Sequence, residues 1–104
     1  MNTYNVYFSV AKHNEEQDVI NLTKEFVNQL NRENLIIDSS FCQVIQPGNF
    51  KGLPDYHLAV AFKDKQHMDD SFEYIREVLM NKQPHSLLMR SVKDFKVSFS
   101  QTLD

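Results

Sequence analysis

Over residues 4–11 the chain alternates, with Tyr4, Val6, Phe8 and Val10 facing one way and Asn5, Tyr7, Ser9 and Ala11 the other. A period of two is that of a strand with one buried face, so this run predicts a first strand. The period then lengthens: Val19, Leu22, Thr23, Phe26, Val27 and Leu30 recur at helical spacing, while Lys24, Glu25, Asn28 and Gln29 fall mostly outside the stripe. Asn14 offers an N-cap with Gln17 three residues on, and Glu15 and Glu16 put negative charge in the first turn, where the helix dipole favours it. These signals predict a helix from there to near Asn34. Residues 35–46 are rich in β-formers and are stopped by Pro47 and Gly48, which predicts a long second strand and a loop through Pro54.

Alternation returns over residues 56–63 and predicts a third strand. Asp64 is placed to cap a second helix, in which Met68, Phe72, Ile75 and Leu79 form one apolar stripe and Asp69, Asp70, Glu73 and Arg76 lie away from it. Pro84 interrupts the pattern, residues 84–91 suit a short extra turn of helix, and Phe95, Val97 and Phe99 alternate with Lys96, Ser98 and Ser100 as a fourth strand.

The order βαββαβ is the split-βαβ arrangement. It predicts an α+β fold of the ferredoxin-like type, a four-stranded antiparallel sheet in the order 4-1-3-2 with both helices on one face. Residues 1–104 suit one domain, which at this length buries roughly two-thirds of its unfolded surface. Val6, Phe8 and Val10, then Leu58, Val60 and Phe62, then Phe95, Val97 and Phe99 are expected under the helices as core. The opposite face is expected to carry Asn5, Tyr7, Ser9 and Ala11, then His57, Ala59 and Ala61, then Lys96, Ser98 and Ser100, with Phe41 and Ile45 from the second strand. A face of that mixed character suits burial against a second copy, so a homodimer through sheet faces is expected.

Composition narrows the partners. A net charge of -3 with scattered Lys and Arg lacks the concentrated basic field of a phosphate-backbone binder, so no nucleic acid is expected. No apolar run approaches the roughly 20 residues of a membrane span, and neither predicted helix has a basic face for a bilayer surface. Cys42 is the only cysteine, and no secretory leader pattern opens the chain, so a cytoplasmic location is expected. No HxH, HExxH or CxxC pattern is present, so neither a metal site nor a cofactor is expected. The only glycines, Gly48 and Gly52, share one loop, which excludes a Gly-rich phosphate cradle.

The segments YNVYFSVA, GLPDYHLAVAFKD and HSLLMRSVKDFKVSFSQTL resemble those of uncharacterised small proteins in the dimeric α/β-barrel superfamily. The resemblance spans nearly the whole chain. It is most specific in the Leu-Pro-acid-aromatic-His approach to the third strand and in the His-containing stretch before the fourth. It implies that two sheets pair into a barrel. The superfamily includes cofactor-free oxygenases, haem-degrading enzymes, isomerases and proteins without known activity. The chain has no Trp, so the Asn/Trp/His pattern of the antibiotic-biosynthesis monooxygenases is incomplete.

His57 is the first candidate for chemistry, because the pattern puts it at the start of a central strand on the face of Asn5, Tyr7 and Ser98. An imidazole and a phenol in reach of each other can act as acid and base or clamp a small ligand; equally, they can hydrogen-bond one another at a dimer interface. His85, beside Leu87, Leu88 and Met89, is placed to swing over the cleft between sheet and helices. His13 and His67 suit helix starts or solvent, and Cys42 suits a small core position with no base beside it. Asn5, Tyr7, His57, His85 and Ser98 are therefore the expected ligand-binding residues, with no catalytic residue assigned. The ligand expected is a small apolar or aromatic metabolite, bound or converted without a metal; the alternative is a non-enzymatic structural dimer.

Overall fold

The computed structural model describes residues 1–103. In chain order, β1 (Asn2–Val10) leads to α1 (Glu16–Arg32), β2 (Asp38–Gln43) and β3 (Tyr56–Phe62). Then come α2 (Lys65–Tyr74), a π-helical turn (Ile75–Leu79), α3 (His85–Ser91) and β4 (Val92–Gln101). The sheet runs β2-β3-β1-β4 with every pairing antiparallel, which is the expected arrangement read from the other edge.

The core lies between one sheet face and the helices. Val6 and Phe8 of β1 with Leu58, Val60 and Phe62 of β3 pack against Val19, Val27 and Leu30 of α1, Met68 of α2, and Ile75, Leu79 and Leu88 beyond it. The second helical stripe is as expected, and Asp64 caps it, its side chain accepting from the His67 amide at 2.8 Å. His67 does more than sit near that cap. Its Nδ1 accepts from the Lys63 amide at 3.0 Å, so its Nε2 donates to the Asn34 carbonyl at 3.0 Å and ties the end of α1 to the start of α2.

Three expectations need correction. The first concerns the start of α1, which is one residue past Glu15, a cap residue that makes no side-chain cap bond. Asn14 instead donates to the Ser91 hydroxyl at 3.4 Å, and Gln17 donates to Asn21 at 3.0 Å, so no capping box forms. The second concerns β2, which is half as long as the β-formers suggested. Phe41 pairs with Leu58, on the helix face, and stacks 6.1 Å from Phe8 and 5.9 Å from Tyr56, while Ile45 lies past the strand and is 93% exposed. The open face therefore loses both of its expected large hydrophobes, because a single-residue change of register sends every side chain to the other side.

Third, Phe95, Val97 and Phe99 face the helices but remain 44–58% exposed. Val97 pairs with Val6 and Phe99 with Tyr4, so the side is right; β4 is the sheet edge, and the helical layer does not reach across it. On that same edge the pairing of β1 and β4 slips between Tyr7 and Ser9, where three steps along β4 match two along β1. Asp94 takes a left-handed φ of 55° at this bulge. The extra residue restores parity, so that Val92 faces Val10 on the helix side although five residues separate it from Val97.

Candidate functional site

The residues singled out by the sequence separate into two places on opposite sides of the sheet. On the open face, Tyr7 pairs with His57 across β1 and β3, and their rings stack at 4.3 Å with an interplanar angle of 7°. His57 Nε2 lies 3.1 Å from Asn5 Oδ1, and Asn5 Nδ2 in turn donates to the Ser100 hydroxyl at 3.3 Å. An amide oxygen only accepts, so Nε2 carries the proton. Partial burial lowers the His57 pKa, which keeps the ring neutral. Ser98 lies opposite Asn5 in the pairing, on the same face, but Ser100 takes the hydrogen bond.

Cys42 also joins this row. It is exposed, stands directly across from His57 in the β2–β3 pairing, and has the Ser40 hydroxyl 3.4 Å from its sulfur. The expectation that no His accompanies Cys42 is corrected here: the neighbour comes from cross-strand register, which spacing along the chain does not reveal. Cys42, His57, Tyr7 and Lys96 form one row across all four strands.

His85 is not part of that row. It opens α3, in the helical layer, and lines a cavity of about 260 Å³ between that layer and the sheet. A cavity bounded jointly by Tyr7, His57 and His85 is thus excluded, since the sheet itself stands between them. The cavity walls are apolar: Val6, Phe8, Leu58 and Val60 from the sheet, Phe26 and Leu88 from the helices. Thr23, in the middle of the α1 stripe, is fully buried on this wall and spends its hydroxyl proton on the Val19 carbonyl at 2.8 Å.

Three polar side chains remain along the cavity: Tyr4, Arg76 and His85. Tyr4 packs edge-on to Phe72 at 5.0 Å and beside Phe99 at 5.1 Å, and burial pushes its phenol pKa up, so it stays protonated. The π-helical turn has its five-residue bond from the Met80 amide to the Ile75 carbonyl at 2.8 Å, and within this wider turn both Ile75 and Arg76 reach the cavity. The turn also leaves the Met80 carbonyl without a helical partner, and His85 Nδ1 donates to it at 3.2 Å. In the neutral ring this bond leaves Nε2 as the acceptor, on a ring held 4.9 Å from Phe26. Such a site can grip a compact apolar body and receive one hydroxyl proton from it. Among the described residues, no three metal-ligating side chains converge anywhere.

Sequence reasoning missed Tyr4 and Arg76 as site residues. Tyr4 was legible only as one more member of an apolar strand face. Arg76 lies at the flank of the helical stripe, four residues after Phe72, and that spacing is the signal that could have found it.

The fold has known counterparts. No protein-family model matches the chain, and no curated protein does either. Among solved structures, the crystal structure of the Arabidopsis thaliana protein At3g17210 superposes with a TM-score of 0.81 at 11% identity, over 100% of this chain and 97% of that one. A conserved protein from Methanosarcina mazei Go1 follows at 0.67 and 18% identity, over 99% and 94% of the two chains. A dimeric protein of unknown function and ferredoxin-like fold from Bacteroides fragilis matches at 0.58 and 11% identity, over 97% and 95%. The chain has the ferredoxin-like fold. At these identities the likeness concerns the fold alone. No helix among the described residues is long and apolar enough to cross a membrane.

Proposed function

We propose that the protein is a cytoplasmic homodimer that binds, and through His85 is placed to convert, a small apolar or aromatic metabolite in the cavity between sheet and helices. The observation that carries the proposal is the cavity itself: about 260 Å³ of apolar space with an oriented imidazole at one wall. Small-molecule sites have this character, apolar with a few placed polar groups, and a volume of about 150 Å³ already accepts benzene. A ring with a short alkyl chain fits. The free thiol of Cys42 accords with a reducing compartment. The open sheet face, with Tyr7, Ala59 and a hydrogen-bonded Asn5–His57 pair, is the surface assigned to the second copy. The dimeric Bacteroides fragilis protein of the same fold favours a second copy.

The test uses 4-propylphenol as probe and calorimetry as readout. Wild-type protein is expected to bind it, Val60→Phe to abolish binding by filling the cavity, and His85→Ala to weaken it by removing the acceptor. His57→Ala is expected to leave affinity unchanged. Binding lost on His57→Ala and kept in Val60→Phe would move the site to the other face and sink the proposal.

One observation favours a second reading, the structural dimer: the Tyr7, Asn5 and His57 side chains are already engaged with one another, as interface residues are. On that reading light scattering finds a dimer weakened by His57→Ala, and no probe enters the cavity.

A further inference from the structure

Beside the apolar cavity stands one unpaired cation. Arg76 lines the cavity and also the open groove that runs on from it between α2 and β4, where Tyr4 and Phe72 are shared walls. It therefore marks the junction between a partly enclosed apolar space and an open groove. Two carboxylates, Asp69 and Glu73, line the same groove. Asp69 is occupied by Lys65 at 2.7 Å, and this is the one ion pair within 4 Å among the described residues, so Glu73 leaves the guanidinium free. Arg76 donates no hydrogen bond to any described residue either. Arg76 is exposed and most of the chain's 11 Lys and Arg side chains are likewise unpaired among the described residues, so what singles it out is its place beside the apolar cavity.

The physics of the junction favours an anion there. Apolar walls displace water and so strengthen any charge pair formed against them, and the planar guanidinium matches a carboxylate through two parallel hydrogen bonds. His85 sets the complementary limit. With its Nδ1 proton committed to the Met80 carbonyl, His85 offers a carboxylate no second donor in its uncharged form, in which Nε2 is a lone pair that receives a hydroxyl. The acid group thus belongs at Arg76 and away from His85. We infer that the ligand is an amphipathic carboxylate, with an aromatic or short aliphatic body in the cavity and its carboxylate on Arg76 at the mouth.

This inference rests on the cavity reading above, and the experiment keeps the two apart. The probes are 4-propylbenzoate and its neutral isostere 4-propylbenzamide, titrated into the intact protein by calorimetry at low ionic strength. The acid is expected to bind at least about fivefold tighter than the amide, in keeping with a hydrogen bond to a charged group. R76Q is expected to bring the two affinities together with no change for the amide, and R76K, which keeps the charge but loses the fork, to fall between. Equal binding of acid and amide by the wild type would overturn the carboxylate assignment and leave the cavity standing. An acid preference that survives in R76Q would overturn the role of Arg76. Binding of neither probe would overturn the cavity reading and this inference with it.

Discussion

The two faces of the one sheet solve opposite problems. On the open face the polar side chains have found each other: Asn5 joins His57 to Ser100, and Tyr7 lies flat on the imidazole. On the helix face the side chains are nearly all apolar, yet they leave a space unfilled, and the few polar groups along it keep spare hydrogen-bonding capacity. A cluster of polar residues is therefore a poor guide to a binding site, because buried polar groups satisfy one another wherever strands bring them together. An unfilled apolar space is the better guide, since interiors otherwise close-pack and a persistent gap forgoes contacts on all its walls.

The comparison can be broken most forcefully by removing volume from the helix face. Phe62 is 1% exposed and packs against Phe72 and His67, so Phe62→Ala is expected to lose about 3–5 kcal/mol in chemical denaturation. Adding volume toward the cavity should behave differently. Val60→Phe, which would cost roughly 1–3 kcal/mol in a filled core, is expected to cost less than about 1 kcal/mol because the ring has somewhere to go. A loss as large as that of Phe62→Ala would mean that the space closes in solution.

The next effect is at Tyr56, whose hydroxyl donates to Glu16 and whose phenol pKa is pushed up to about 12, first by that hydrogen bond and then by burial and the charges of Glu16 and Asp55. The folded value lies above the ordinary 10, so the stabilisation is fully present below pH 10 and is lost as pH rises through about 12. Tyr56→Phe is expected to cost about 1 kcal/mol at neutral pH and to flatten the alkaline limb of the melting temperature.

The smallest effect belongs to the open face. Burial lowers the His57 pKa from the ordinary 6.5, so its contribution is present above that pH and is lost as pH falls through the folded value. His57→Gln is expected to flatten the acid limb of the melting curve slightly below pH 6.5. A flat acid limb in the wild type would mean that His57 is solvated in the folded protein.

The alternation of Tyr4, Val6, Phe8 and Val10, the helical stripes ending in Leu30 and Leu79, and the Asp64 cap were enough to place the elements, their order and the core side of β1 and β3. These are local and periodic properties, and the chain carries them in full. What lay outside the sequence is what depends on distant segments or on exceptions to a period. Phe41 went to the helix face because its partner is Leu58, and Cys42 met His57 for the same reason. The bulge at Asp94 inserts one residue into a regular repeat, which turns Val92 back to the core. His85 could be placed near the cleft from its neighbours, but only the layered structure decided that the sheet divides it from His57. Periodicity determines which face a residue joins within its own element; only packing decides which residues from other elements share that face and whether they fill it.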